Sequence, residues 1–156
     1  MKIHVTSGTG EGDTDIAAFD KALWDAGIAN YNIIKLSSMI PEGSDVVVEK
    51  PEMNNKEHGH KLYVVIAEAY QTEKGKKAIA GLGWVKANHT KGKGIFVEKA
   101  GSSKEEVKNY IEKTIHSMTS YRPEEHGEIA IEFSEKECNG KVTCAVVVAV
   151  YKSEGW

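Results

Sequence analysis

The chain has 156 residues and a formal net charge of -3, with 20 basic and 23 acidic side chains scattered along it. That length fits a single domain able to bury roughly 70% of the surface its unfolded form exposes, so its core needs neither a metal nor a disulfide. The charge excludes a nucleic-acid surface, since the densest basic stretch, Lys74 to Lys77, contains a glycine and reads as a solvated turn.

Lys2 to Ser7 has a strand pattern and runs into Gly8-Thr9-Gly10-Glu11-Gly12-Asp13-Thr14, which reads as a flexible turn whose Asp13 or Thr14 caps a helix. Ile16, Phe19, Leu23 and Ala26 recur at intervals of three and four, and Gly27 lies where a left-handed residue ends a helix. The spacing predicts a helix from Asp15 to Ala26. Tyr31 to Leu36 is a short strand, after which Ser37-Ser38-Met39-Ile40-Pro41 leaves regular pairing, because proline cannot donate to a ladder and restricts the residue before it. Further strands are predicted at Asp45 to Glu49, Lys61 to Gln71, Lys77 to Ala87 as a partner of the last, and Gly94 to Lys99. Ser102 with Glu105, or Ser103 with Glu106, forms a capping box, and Val107, Ile111, Ile115 and Met118 carry a second helix to about Tyr121. Ile129, Ile131 and Phe133 alternate as in a half-buried strand, Asn139-Gly140 signals a hairpin, and Val142 to Tyr151 is the final strand.

Two helices against about seven strands, most joined by hairpins, make an α+β chain with mixed or antiparallel sheets. The runs Val46-Val47-Val48 and Ala145 to Val150 look buried on both faces, so sheet is expected to pack on sheet with the helices outside. No stretch approaches the roughly 18 apolar residues of a membrane span and the N-terminus lacks the apolar run of a signal peptide, so a soluble, cytoplasmic protein is expected.

Most motifs carry little. The glycine cluster lacks the spacing of a dinucleotide loop and the G-K-[ST] ending of a phosphate loop. His58 and His60 beside Glu57 read as a solvated loop, and Cys138 and Cys144 fit no zinc spacing and are expected as free thiols; no metal is expected. Ser-Ser at a strand end is ordinarily a turn with satisfied hydroxyls, and no G-x-S-x-G turn or partnered base is evident.

Three segments taken together point further: F-D-x-A-L at Phe19-Asp20-Lys21-Ala22-Leu23, G-I-x-N-x-N at Gly27-Ile28-Ala29-Asn30-Tyr31-Asn32, and S-S-x-x-P at Ser37-Ser38-Met39-Ile40-Pro41. In this order and spacing they resemble the pyruvoyl-dependent arginine decarboxylases, and the resemblance continues through Ile95 to Gly101, Glu128 to Glu132 and Thr143 to Lys152. It implies an αββα sandwich forming one domain over residues 1–156, cleaved by itself between Ser37 and Ser38 into 1–37 and 38–156. It implies a covalent pyruvoyl cofactor derived from Ser38, and arginine as substrate, decarboxylated to agmatine and carbon dioxide through an imine with that group. The implied assembly is a homotrimer, in some family members paired as a hexamer, with sites between subunits and without nucleic acid or membrane partners. Residue by residue, Ser37 ends the short chain and lines the substrate site, Glu98 matches the catalytic acid, and Asn32 matches a residue near the cofactor. Asp20 matches the carboxylate that takes the substrate guanidinium from an adjacent subunit. Ile16 and Ala29, also in the implied substrate site, depart from the leucine and glycine of the best-known relatives.

The residue types suit that chemistry. A tight, strained turn can hold the Ser38 hydroxyl near the Ser37 carbonyl, and Asn32 offers an amide to the oxyanion if the chain folds it toward the turn. Glu98, after the apolar Ile95-Phe96-Val97, can stay protonated in a dry site and return a proton, or be a solvated edge carboxylate. Asp20, one turn from both Ile16 and Trp24, can pair a guanidinium at an interface, or be an ordinary helix-surface acid. Two other readings stand beside arginine decarboxylation: the same chemistry on another amino acid, and an unprocessed scaffold relative without catalysis.

Overall fold

Strand β9 (Val142–Glu154) is apolar on both faces, and that dictates the layering. Successive side chains of a strand point to opposite faces, so Cys144, Val146, Val148 and Val150 form one core while Ala145, Val147 and Ala149 form another. A computed structural model describes residues 1–52, 54–88 and 91–156. Its elements run β1 (Lys2–Gly12), α1 (Asp15–Asp25), β2 (Asn32–Lys35), β3 (Met39–Ile40), β4 (Asp45–Val48), β5 (Lys61–Gln71), β6 (Lys77–Lys86), β7 (Gly94–Gly101), α2 (Lys104–Thr119), β8 (Ala130–Glu137) and β9.

Two sheets result, one ordered β2-β5-β9-β1-β4 and one ordered β3-β7-β6-β8. The first is mixed, with β1–β4 and β2–β5 parallel and β9 antiparallel to both β1 and β5; the second is antiparallel throughout. Ile3, Val5, Val65, Leu82, Phe96 and Val147 fill the space between the sheets. α1 covers the outer face of the first sheet through Ala18, Ala22, Leu23 and Ala26, and α2 covers the second through Val107, Ile111 and Ile115. The architecture is an αββα sandwich in one domain, of the α+β class expected. Both helices start at hydroxyl caps, Thr14 accepting from the Ala17 amide and Ser103 from the Glu106 amide, and Gly27 takes the left-handed conformation after α1 at φ +76°.

Several expectations change. Gly8 to Gly12 is not a flexible turn but the second half of β1, paired with β9 as far as Val142. Glycine at alternate positions lets α1 lie directly on the strand: a Cβ at Gly8 would stand 2.2 Å from the Ala22 carbonyl oxygen, and one at Gly10 2.4 Å from that of Ala18. Ile16 is outside the core, 76% exposed, because the buried stripe of α1 is its alanine face. Val46 to Val48 is not buried on both faces: β4 is an edge strand, and Val48 is exposed. Asn139-Gly140 makes no hairpin, since β8 and β9 lie in different sheets, and β6 pairs with β7 and β8 rather than with β5. In both places the chain arches from one sheet to the other because β5 and β9 each need an apolar layer on either face. The arches are tied together where the Gly75 amide donates to the Cys138 carbonyl and the Cys138 amide to the Lys76 carbonyl. Cys138 and Cys144 are free and buried. Among the described residues no helix is long and apolar enough to cross a membrane.

Candidate active site

The two serines stand where the chain leaves one sheet for the other. The Leu36 amide donates to the Val64 carbonyl (2.8 Å), fixing the end of β2 to the first sheet, and the Phe96 amide donates to the Ser38 carbonyl (2.8 Å), fixing the next segment to the second. Met39 then pairs with Ile95. Exposed Ser37 and the peptide link after it span the gap between these anchors. Ser38 is left-handed, with φ +57°. For a residue with a Cβ that conformation costs about 1–2 kcal/mol, so its surroundings must hold it there.

Glu98 follows Phe96 on the same face of β7, with Val97 turned to the opposite, α2 side. The Ser38 hydroxyl donates to the Glu98 carboxylate, Oγ to Oε2, at 3.1 Å. Glu98 is exposed in the single protomer, so one chain does not supply the dry surroundings expected for it. A third side chain completes the cluster. The Tyr151 hydroxyl donates to the Met39 carbonyl (2.7 Å), and its ring meets Phe96 edge-on with centroids 6.2 Å apart. Burial, and then the nearby Glu98 charge, push the Tyr151 phenol well above its ordinary pKa, which keeps it a neutral donor. Sequence reasoning passed over Tyr151 as a residue of the last strand. The available signal was a phenol closing the inward series Ala145, Val147, Ala149.

The other predicted site residues lie elsewhere in the protomer. Asn32 opens β2, and its side-chain amide donates to the Gly59 carbonyl (2.6 Å), not to the Ser37 carbonyl. Ala29 is buried in the turn after α1, beside a cavity of about 90 Å³ lined by Tyr31, Asn54 and Glu57. There the Tyr31 hydroxyl donates to Glu57 (2.7 Å); burial and that bond push Tyr31 up to about 12, and the same bond holds Glu57 below the usual carboxylate range. Asp20 and Ile16 are exposed on α1, one turn apart, with Trp24 a further turn on. Asp20 lines an open groove of about 600 Å³ with Glu11, Lys21, Lys136 and Lys141. The first sheet stands between that helix face and the space between the sheets into which Glu98 points. One protomer therefore joins Ser38 to Glu98 and adds Tyr151, and holds Asp20, Ile16, Ala29 and Asn32 apart from them.

Comparison with known proteins extends over the same frame. The family model described as pyruvoyl-dependent arginine decarboxylase matches residues 2–155. The chain is similar to the pyruvoyl-dependent arginine decarboxylase of Methanothermobacter thermautotrophicus, 30% identical over 151 residues, which spans 94% of this chain and 95% of the relative. It is similar to the Methanopyrus kandleri protein of the same name at 31% over 150 residues (96% and 94%), and to that of Halobacterium salinarum at 32% over 154 residues (96% and 93%). Similarity that runs from one end of the fold to the other, through both sheets and the crossing between them, shows that the chain belongs to the pyruvoyl-dependent arginine decarboxylase family, whose chemistry is pyruvoyl-dependent decarboxylation.

Proposed function

We propose that the chain breaks its own Ser37–Ser38 bond and then decarboxylates L-arginine to agmatine and carbon dioxide. The observation that carries this reading is the left-handed Ser38 at the sheet crossing with its hydroxyl on Glu98. Glu98 takes the hydroxyl proton as Oγ adds to the Ser37 carbonyl carbon, the peptide C–N bond breaks, and the Ser38 nitrogen takes up the proton, leaving an ester. Loss of the Ser38 α-proton expels the Ser37 carboxylate from Cβ and parts the chains. Water then replaces the nitrogen, which leaves as ammonia, so that residue 38 ends as a ketone.

The residues fit such a group, because the bonds that hold this segment, the Phe96 amide to the Ser38 carbonyl and the pairing of Met39 with Ile95, all lie on the C-terminal side of the bond that breaks. A pyruvoyl group supplies a carbonyl system that accepts the electrons of a departing carboxylate. Glu98 is placed to return a proton to the substrate carbon, provided its exposed face is covered so that the acid form persists. In this reading the cover is a second copy of the chain, in a homotrimer or a hexamer of paired trimers. The α1 face bearing Ile16, Asp20 and Trp24 meets the serine edge of the neighbour, and Asp20 pairs the substrate guanidinium in a planar, forked geometry. Ile16 at 76% and Trp24 at 45% exposure flank that carboxylate with apolar surface in need of cover, which supports the arrangement. Asn32 and Ala29 complete the substrate pocket in the assembly.

Intact-mass analysis of freshly purified protein tests the reading. The expected result is two fragments of 37 and 119 residues, which together make the 156, the longer with a blocked, carbonyl-bearing N-terminus; Ser38→Ala is expected to stay whole. Carbon dioxide release is expected from arginine in preference to lysine, ornithine and histidine. An intact wild-type chain rejects self-cleavage, and release from one of the others but not from arginine rejects the substrate.

A further inference from the structure

We infer that Tyr151 is a positioning residue for the self-cleavage: acting through the Met39 carbonyl, its hydroxyl holds the Ser38 backbone in the left-handed turn that presents Oγ to Glu98. The inference rests on reading Ser37–Ser38 as the bond that breaks.

The first observation is in the ladder between β5 and β9. The two strands pair without interruption from Gln71 and Thr143 to Val64 and Val150, and then Tyr63 pairs with Lys152. Tyr151 is left as the extra residue on its strand. A bulge of this kind bends the strand locally, and bulges concentrate beside functional sites. Here the bulged residue keeps the inward face of Ala145, Val147 and Ala149, packs at the margin of the inter-sheet core and reaches across to the other sheet, where its hydroxyl meets the Met39 carbonyl at 2.7 Å.

The second observation is what Met39 otherwise has. β3 contains two residues, pairs only with β7, and lies at the edge of its sheet, while Met39 itself is half exposed. So short a ladder is a weak clamp for a serine at φ +57°. Tyr151 adds to it twice. Its hydroxyl fixes the carbonyl of Met39, and its ring packs on Phe96, whose amide fixes the carbonyl of Ser38. The two peptide groups that follow the Ser38 α-carbon are thereby tied to one side chain, and the orientation of Oγ follows from theirs. Burial, and then the Glu98 charge, raise the phenol above its ordinary pKa, so it donates that bond as a neutral hydroxyl near neutral pH.

Tyr151→Phe keeps the ring and its contact with Phe96 and removes only the hydroxyl. In the full-length chain, followed by intact mass under conditions where the protein is fully folded, the two-fragment form is expected about tenfold more slowly than in wild type, the scale of a small misplacement of reacting groups. Loss of stability alone does not slow a step that takes place in the folded state, so unfolding of Tyr151→Phe is compared in an uncleavable Ser38→Ala background, where little change is expected. A cycle with Glu98→Asp, which shortens the base but keeps a carboxylate, gives the second readout. If both residues act on the geometry at Ser38, the double variant is slowed by less than the product of the single effects. Cleavage of Tyr151→Phe at the wild-type rate, or effects that multiply, overturns the inference, whereas a wild-type chain that never cleaves overturns the reading beneath it.

Discussion

In the proposed chemistry Glu98 serves twice, first taking a proton from the Ser38 hydroxyl 3.1 Å away and later returning one to the substrate carbon. Both tasks need a titratable group at one place, and glutamine offers the same shape without the proton exchange. Glu98→Gln is therefore expected to slow the appearance of the two fragments and, counted per carbonyl-bearing chain, to lower decarboxylation by about 10²–10⁴-fold, the usual contribution of a positioned acid or base. Mass spectrometry of the fragments and carbon dioxide release per carbonyl separate the two effects. Turnover per carbonyl equal to wild type would remove Glu98 from the chemistry. At this scale local sequence marked the serine pair as a strand end with a proline three residues after Ser38 and Glu98 as the end of an apolar strand, but a satisfied turn and a solvated edge carboxylate fit those patterns as well, and the family resemblance is what singled the residues out. The inward face of Tyr151 was open to the alternation of the last strand, but its bond to the Met39 carbonyl was not, since that depends on how two sheets stack and on the register of strands about ninety residues apart, which no local pattern reports.

The elements were legible where one periodicity governs them. α2 shows this best: Val107, Ile111 and Ile115 recur at helical spacing, all three are buried, and Ser103 caps the helix as one of the two predicted boxes requires. The failures come from residues whose meaning depends on what lies across from them. Gly8, Gly10 and Gly12 read as a turn because glycine breaks local patterns, yet their spacing of two is also that of one strand face, and here it is the face on which Ala18, Ala22 and Ala26 rest. Asn139-Gly140 likewise reports a sharp reversal but not whether the strands on either side pair or stack. The glycine face gives an element-scale prediction. In Gly10→Ala the new methyl meets helix backbone, which cannot rotate aside, so α1 must lift from β1. The expected cost is about 1–3 kcal/mol, read as a lower urea midpoint at unchanged slope. An unchanged midpoint would mean that α1 does not press on β1 as closely as the structure has it.

At the scale of the whole molecule, the sandwich makes the proposed site one that a single chain cannot complete. The serine crossing lies on the β2–β3 side and faces the space between the sheets, while Asp20 lies on the outer face of α1, beyond the first sheet. No rearrangement that preserves the fold brings the two together, so if Asp20 and the ketone at residue 38 share a substrate they belong to different protomers. Complementation tests this directly. Asp20→Ala retains the serine edge and lacks the guanidinium partner; Ser38→Ala retains Asp20 and makes no ketone. Each alone is expected to be nearly inactive. In the proposed trimers, formed by co-expressing equal amounts, a productive site needs one chain of each kind in a fixed order, which random assembly around a cyclic interface provides at about a quarter of the positions. Arginine decarboxylation by the purified mixture is therefore expected at about a quarter of the wild-type rate per site, a level neither parent approaches. A mixed trimer, verified by mass, that is no more active than Asp20→Ala alone would place Asp20 outside the substrate site and return it to the helix surface.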